Sequence, residues 1–79
     1  MKSLCDLKAL AVAANIRKIR EDKNYTQEYL AAKLKISQNA YSKIELGRNN
    51  ITLNRLLCIA EILEIDAVTL LQMNSVEQH

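Results

Sequence analysis

Apolar positions along this chain recur every three or four residues, the spacing of helices with one buried face, rather than alternating as strands do. From the amino end, Leu7, Leu10 and Ala14, then Ile16 and Ile19, mark a first helix over residues 4–23. Ser3, with Asp6 three residues on, reads as a capping box with a shortened acid. The phase slips near residues 13–15, so residues 1–15 are expected to form a helical extension ahead of a domain over residues 16–71. Asn24 is the left-handed terminator, since asparagine tolerates positive φ better than other non-glycine residues. A second helix starts at the N-cap residue Thr26, with Glu28 placed where the helix dipole favours an acid. Leu30 and Leu34, with Ala31 beside them, form its buried stripe. Lys35 and Ile36 make a short turn. Ser37 then caps a third helix that carries Ala40, Tyr41 and Ile44 inward and ends at Leu46, with Gly47 just beyond. After a polar loop over residues 48–51, Thr52 caps a fourth helix. There Leu53, Leu56, Leu57, Ala60 and Leu63 are expected inside, with Ile59 and Ile62 off the stripe. Asp66 opens a fifth helix holding Val68, Leu70, Leu71 and Met73, and residues 74–79 form a tail.

Composition agrees with an all-α reading. The 79 residues include no proline and one glycine, too little punctuation for a fold of many short strands. Hydrophobic residues at 49% suffice for one core, and the length fits one domain. Cores of this size are marginal, and oligomerisation is a common remedy. A net charge of +2 is equally compatible with an ordinary solvated surface,. Cys5 and Cys58 match no metal spacing and read as small hydrophobes. Lys8 interrupts the apolar stretch that a signal peptide would need, and no run approaches the roughly 18 residues of a membrane span. The expected location is cytoplasmic, with no membrane partner. His79 is the single histidine, at the last position, and no nucleophile–base spacing accompanies it. An enzyme is not expected, nor is a cofactor or metal, and no small-molecule substrate is evident.

The informative stretch is residues 26–47. Two helices of about nine residues joined by so short a turn must cross steeply, which is the helix-turn-helix geometry. On the outer face of the third helix stand Gln38, Asn39, Ser42 and Lys43, offset by three to five residues. Glutamine and asparagine can pair with adenine edges, and lysine with guanine O6 and N7. Amides and a lysine would also keep a surface soluble, but a merely solvated face normally carries more acid. Loss of DNA binding in favour of a protein-interaction role is the alternative, and the same acid-free face argues against it.

The chain resembles the Cro/C1-type, or xenobiotic-response-element, helix-turn-helix family. The likeness is carried by residues 16–27, Leu30 and Ala31, Ser37 and Gln38, residues 44–48 and residues 56–63. That resemblance implies a five-helix, lambda-repressor-like domain whose third helix reads the major groove. It also implies double-stranded DNA as partner, and homodimers that repress or activate at inverted repeats. Carried over by position, Gln38 and Asn39 fall where the family reads bases, with Ser42 and Lys43 on the same face. Gln27 falls where a phosphate is contacted and the reading helix braced. Arg48, Asn49 and Asn50 form the loop on the second phosphate strand. Arg20 and Glu45 match a pair that joins the first helix to the end of the third. The turn position usually held by glycine is Lys35, which either adopts a costly left-handed conformation or alters the turn; its amine is expected as a further phosphate contact. The expected dimer surface runs through Ile65, Val68, Leu70 and Met73. Phage-type repressor, restriction–modification controller and autoregulating antitoxin all remain open as roles.

Overall fold

Four helices open on a hydroxyl side chain that occupies the main-chain N–H otherwise left bare in the first turn. In the computed structural model, which describes residues 3–48 and 50–72, these are α1 (Leu4–Asp22), α2 (Gln27–Leu34), α3 (Gln38–Glu45) and α4 (Leu53–Leu63). Ser3 Oγ accepts from the Asp6 N–H at 3.1 Å, Thr26 Oγ1 from Tyr29 at 3.0 Å, Ser37 Oγ from Ala40 at 3.0 Å and Thr52 Oγ1 from Arg55 at 3.1 Å. The Ser3 N–H donates in return to Asp6 Oδ2 at 3.4 Å, completing the capping box. The fifth helix, α5 (Ala67–Gln72), is a short closing segment.

The same four helices also end alike. Asn24, Lys35, Gly47 and Glu64 take φ of 63°, 62°, 70° and 61°. The following N–H reaches back five residues in each: Tyr25 to Arg20, Ile36 to Ala31, Arg48 to Lys43 and Ile65 to Ala60, at 3.0–3.1 Å. This is the Schellman arrangement, which satisfies the last carbonyls of a helix. Lys35 therefore takes the left-handed form that a glycine would adopt more cheaply, and the turn keeps its shape without one. At Gly47 the absence of a side chain matters twice. Beyond the positive φ, a Cβ there would lie 2.5 Å from Leu10 Cδ2, so Leu10 would have to move.

The core gathers one stripe from each helix: Ile16 from α1, Leu30 and Ala31 from α2, Tyr41 and Ile44 from α3, Leu56, Ile59, Ala60 and Leu63 from α4, and Leu70 from α5. Helix α1 packs across α3, α4 and α5, while α2 packs on α3 and α4.

Three expectations are corrected here. On α4, Ile59 is fully buried and Ile62 packs against the core, whereas Leu53 and Leu57 are exposed. The stripe 56–59–60–63 wins over 53–57 because it faces α2 and α5. On α1, Ala14 is exposed and the buried positions are Ala13, Asn15, Ile16 and Arg20. The phase slip marks no break, since the helix runs unbroken through it and residues 4–15 continue into the rest of α1. Asn15 explains the slip. Its side chain is buried, and Nδ2 donates to the Leu70 carbonyl at 2.8 Å, tying α5 to α1.

Candidate nucleic-acid interface

Helix α3 begins at the Ser37 cap and is fixed on its inner side by Tyr41 and Ile44. What the inward residues leave outside is a face of Gln38, Asn39 and Lys43, all exposed, with Ser42 half-buried between them. No acid lies in the first turn of α3. Its one acid, Glu45, is turned inward and 7% exposed. Two uncharged amides and a cation thus stand on the outer ridge of α3, offering both donors and acceptors with no exposed carboxylate of that helix to repel a polyanion.

Glu45 anchors that ridge. Arg20 Nε donates to Oε2 at 2.6 Å and Arg20 Nη2 to Oε1 at 3.1 Å, a two-pronged pairing of guanidinium and carboxylate,. The third nitrogen, Nη1, donates to the Tyr25 carbonyl at 2.8 Å, and Gln27 Nε2 donates to Glu45 Oε1 at 3.0 Å. One carboxylate therefore joins the ends of α1 and α3 to the start of α2. Burial pushes the Glu45 carboxyl up, but the Arg20 hydrogen bonds, helped by Tyr41 and Gln27, outweigh it and hold it below the usual carboxylate range. The Arg20 guanidinium, hydrogen-bonded to Glu45, is raised in turn. The Tyr41 hydroxyl is buried beside the pair without a hydrogen bond of standard geometry. Burial first, then the adjacent Glu45, moves it well above the ordinary phenol range. It stays protonated.

In chain order the residues expected at phosphates lie at the start of α2 (Gln27), at its end (Lys35) and after α3 (residues 48–50). Lys35, Arg48 and Asn50 are exposed, and among the described residues neither Lys35 nor Arg48 has an ion-pair partner. Gln27 is half-buried, with one amide hydrogen engaged by Glu45 and a second available,. Asn49 lies outside the described residues. The acids of α1 are partly occupied elsewhere: Arg17 pairs with Glu21 at 3.1 Å and Lys18 with Asp22 at 3.9 Å, both exposed helix-surface pairs,.

The expected dimer surface divides. Val68 is 55% exposed. Leu70 is fully buried in the chain's own core, so its side chain is not open to a partner. Ile65 is half-buried against the same core, and Met73 lies outside the described residues.

Two features near the ridge escaped the sequence reading. Tyr25 and Tyr29 lie with ring centroids 4.8 Å apart, and Lys33 Nζ sits 5.6 Å above the Tyr29 ring, lining the outer side of α2. Arg55 Nη1 reaches the Leu34 carbonyl at 3.5 Å, linking the start of α4 to the end of α2. Tyr25 precedes the Thr26 cap, so helical spacing does not pair it with Tyr29,, and nothing local signals the second feature either. Among the described residues no group of three or more histidine, cysteine or acidic side chains could hold a metal. No helix among them is long and apolar enough to cross a membrane.

Residues 16–70 match the family described as helix-turn-helix. Two structures of the clp gene regulator ClgR from Corynebacterium glutamicum are similar, with TM-scores of 0.77 and 0.78 at 26% identity. Each aligns with 81% of this chain, and with 82% or 68% of its own. The hypothetical transcription factor NHTF from Neisseria is 33% identical, with a TM-score of 0.74 over 84% of this chain and 75% of that one. No curated protein sequence matches the chain.

Proposed function

Since this chain belongs to the Cro/C1-type helix-turn-helix family, whose fold is that of DNA-binding transcription regulators, we propose that it reads a specific double-stranded sequence by laying α3 in the major groove. The observation that carries this is the acid-free ridge of Gln38, Asn39 and Lys43, exposed on a helix whose only carboxylate is locked inward by Arg20. Gln38 and Asn39 sit at the N-terminal end of α3, the part of a recognition helix that meets base edges. Ser42 and Lys43 follow one turn later. Lys43 takes guanine O6 and N7, and the amides take adenine. Gln27 at the start of α2, Lys35 in the turn, and Arg48, Asn49 and Asn50 after α3 hold phosphates on either side of the groove and set the register. Glu45 serves this by fixing the rotamer of Gln27, so that the free amide hydrogen faces the backbone it binds.

The working form in this reading is a homodimer acting as a repressor or autoregulator on an inverted repeat, with half-sites about 34 Å apart. Its two-fold contact is built on exposed apolar residues of α5, Val68 foremost, together with Met73. Leu70 and Ile65 support that surface from within rather than forming it.

Phosphate contacts release counterions, so affinity must fall steeply with salt. With two cations per chain assigned to phosphates, four in the dimer, a fluorescently labelled duplex of mixed sequence titrated with the protein at 50 and 200 mM salt is expected to show a loss on the order of 10²-fold. A Kd that barely changes between the two salts would overturn the proposal.

A further inference from the structure

Helix α2 is held at both ends by side chains. At its start Gln27 donates to Glu45 at 3.0 Å. At its end the returning main-chain N–H groups serve the carbonyls of Ala31 and Ala32. The carbonyl of Leu34, the last residue of the helix, receives no main-chain donor among the described residues. Arg55 of α4 fills that place, with Nη1 donating to the Leu34 carbonyl at 3.5 Å. The bond is long, and its worth lies chiefly in the attraction of a full charge for the carbonyl end of a helix. Arg55 is half-buried, and among the described residues it has no ion-pair partner to draw it elsewhere. Its main chain is fixed as well: the N–H donates to Thr52 Oγ1 at 3.1 Å, in the cap that receives the loop after α3.

We propose that Arg55 is a positioning residue for DNA binding, which sets the distance between the α2–α3 turn and the loop after α3. This rests on the reading above, in which Lys35 and residues 48–50 meet phosphates. Lys35 directly follows Leu34, and residues 48–51 run straight into Thr52. Arg55 therefore grips the turn with its side chain and the end of the loop with its main chain. Phosphates along a duplex are evenly spaced, so two segments meet them together only if the segments keep their own separation. With its guanidinium committed to Leu34, Arg55 acts on DNA through Lys35 and the loop rather than by touching a phosphate.

Arg55→Ala, Arg55→Lys and Val12→Ala, the last trimming a partly buried residue of α1, separate position from stability. Hydrogen exchange of the Lys35 and Ile36 amides, which close the end of α2, reads the clamp without DNA. Arg55→Ala should speed these two about five-fold more than it speeds the core amide of Ile59, whereas Val12→Ala should speed all three alike. For the duplex that the wild type selects from random DNA, Arg55→Ala should raise Kd about five-fold, the scale of one lost hydrogen bond, with the salt slope unchanged. Arg55→Lys keeps a charged donor and should recover most of that loss. Val12→Ala, measured where it is folded, should leave Kd as it was. A salt slope reduced by about 0.9 per chain makes Arg55 a phosphate contact and overturns the positioning role. So does an equal rise in Kd for Val12→Ala, or no rise for Arg55→Ala. Equal acceleration of the three amides in Arg55→Ala overturns the clamp itself. A wild type that binds no duplex overturns the DNA reading and the positioning role with it, while the exchange comparison still decides whether Arg55 holds the turn.

Discussion

Glu45 is 7% exposed and carries a charge, and the acceptability of that burial depends on Arg20. Removing one partner of a buried ion pair strands the other, at a cost of about 3–5 kcal/mol. Arg20→Ala should therefore lower the melting temperature strongly at pH 7. The pH dependence follows from the direction of the Glu45 shift. A carboxyl held below its ordinary range contributes stability that is complete above that range and is lost as pH falls through the depressed value,. In the variant the stranded carboxyl titrates higher and escapes its penalty by taking a proton. The gap in melting temperature between wild type and variant should accordingly narrow from pH 7 to pH 4. A gap that stays constant, or no loss at pH 7, would show that the pair does not hold α3. At this scale the sequence was informative where signals are local: the four hydroxyl caps and the Asn24 terminator are single-residue choices with a fixed chemical purpose. Asn15 was illegible for the opposite reason. Its partner, the Leu70 carbonyl, lies 55 residues away, and a buried asparagine in an apolar run looks like a break in the pattern.

Helices raise a different problem of legibility. On α4, Leu53, Leu57, Leu56, Ile59, Ala60 and Leu63 are all apolar, so two overlapping stripes satisfy the helical period. Only the position of α2 and α5 decides between them, burying Ile59 and leaving Leu53 at 71% exposure. The α2–α3 turn was the converse case, readable as a junction but with its backbone undetermined. Lys35 at φ 62° resolves it. A left-handed L-residue costs roughly 1 kcal/mol or more, so Lys35→Gly should raise the midpoint of urea denaturation. The same change should weaken DNA binding modestly and evenly across sequences if the amine meets a phosphate. A lowered midpoint would mean the lysine side chain stabilises the turn in some way that outweighs its backbone.

Across the whole molecule, α3 is held from behind by α1 and α2 through one carboxylate, and faced outward by a core drawn from all five helices. That arrangement makes the ridge of Gln38, Asn39 and Lys43 a fixed shape rather than a mobile one, which is what register on a duplex demands. The fold class and the position of the ridge were legible because they follow from short-range period and turn length. The expected dimer contact was less legible, since Leu70, one of its four residues, belongs to the core and only packing shows it. An exposed Val68 on α5 makes a dimer contact testable: light scattering at micromolar protein should give twice the chain mass, and Val68→Asp should return it to one. A wild-type monomer would remove the two-fold contact from the account.

The central claim is that α3 reads bases. Selecting bound duplexes from random DNA with wild type and with Lys43→Ala examines it most directly. The wild type should recover an inverted repeat containing a guanine that the variant no longer requires, with about 1–3 kcal/mol of discrimination lost at that position in each half-site. Recovery of the same motif by both proteins, with the variant merely weaker throughout, would assign Lys43 to the phosphates and contradict base reading by this residue; recovery of no motif by either would contradict sequence reading by α3 altogether.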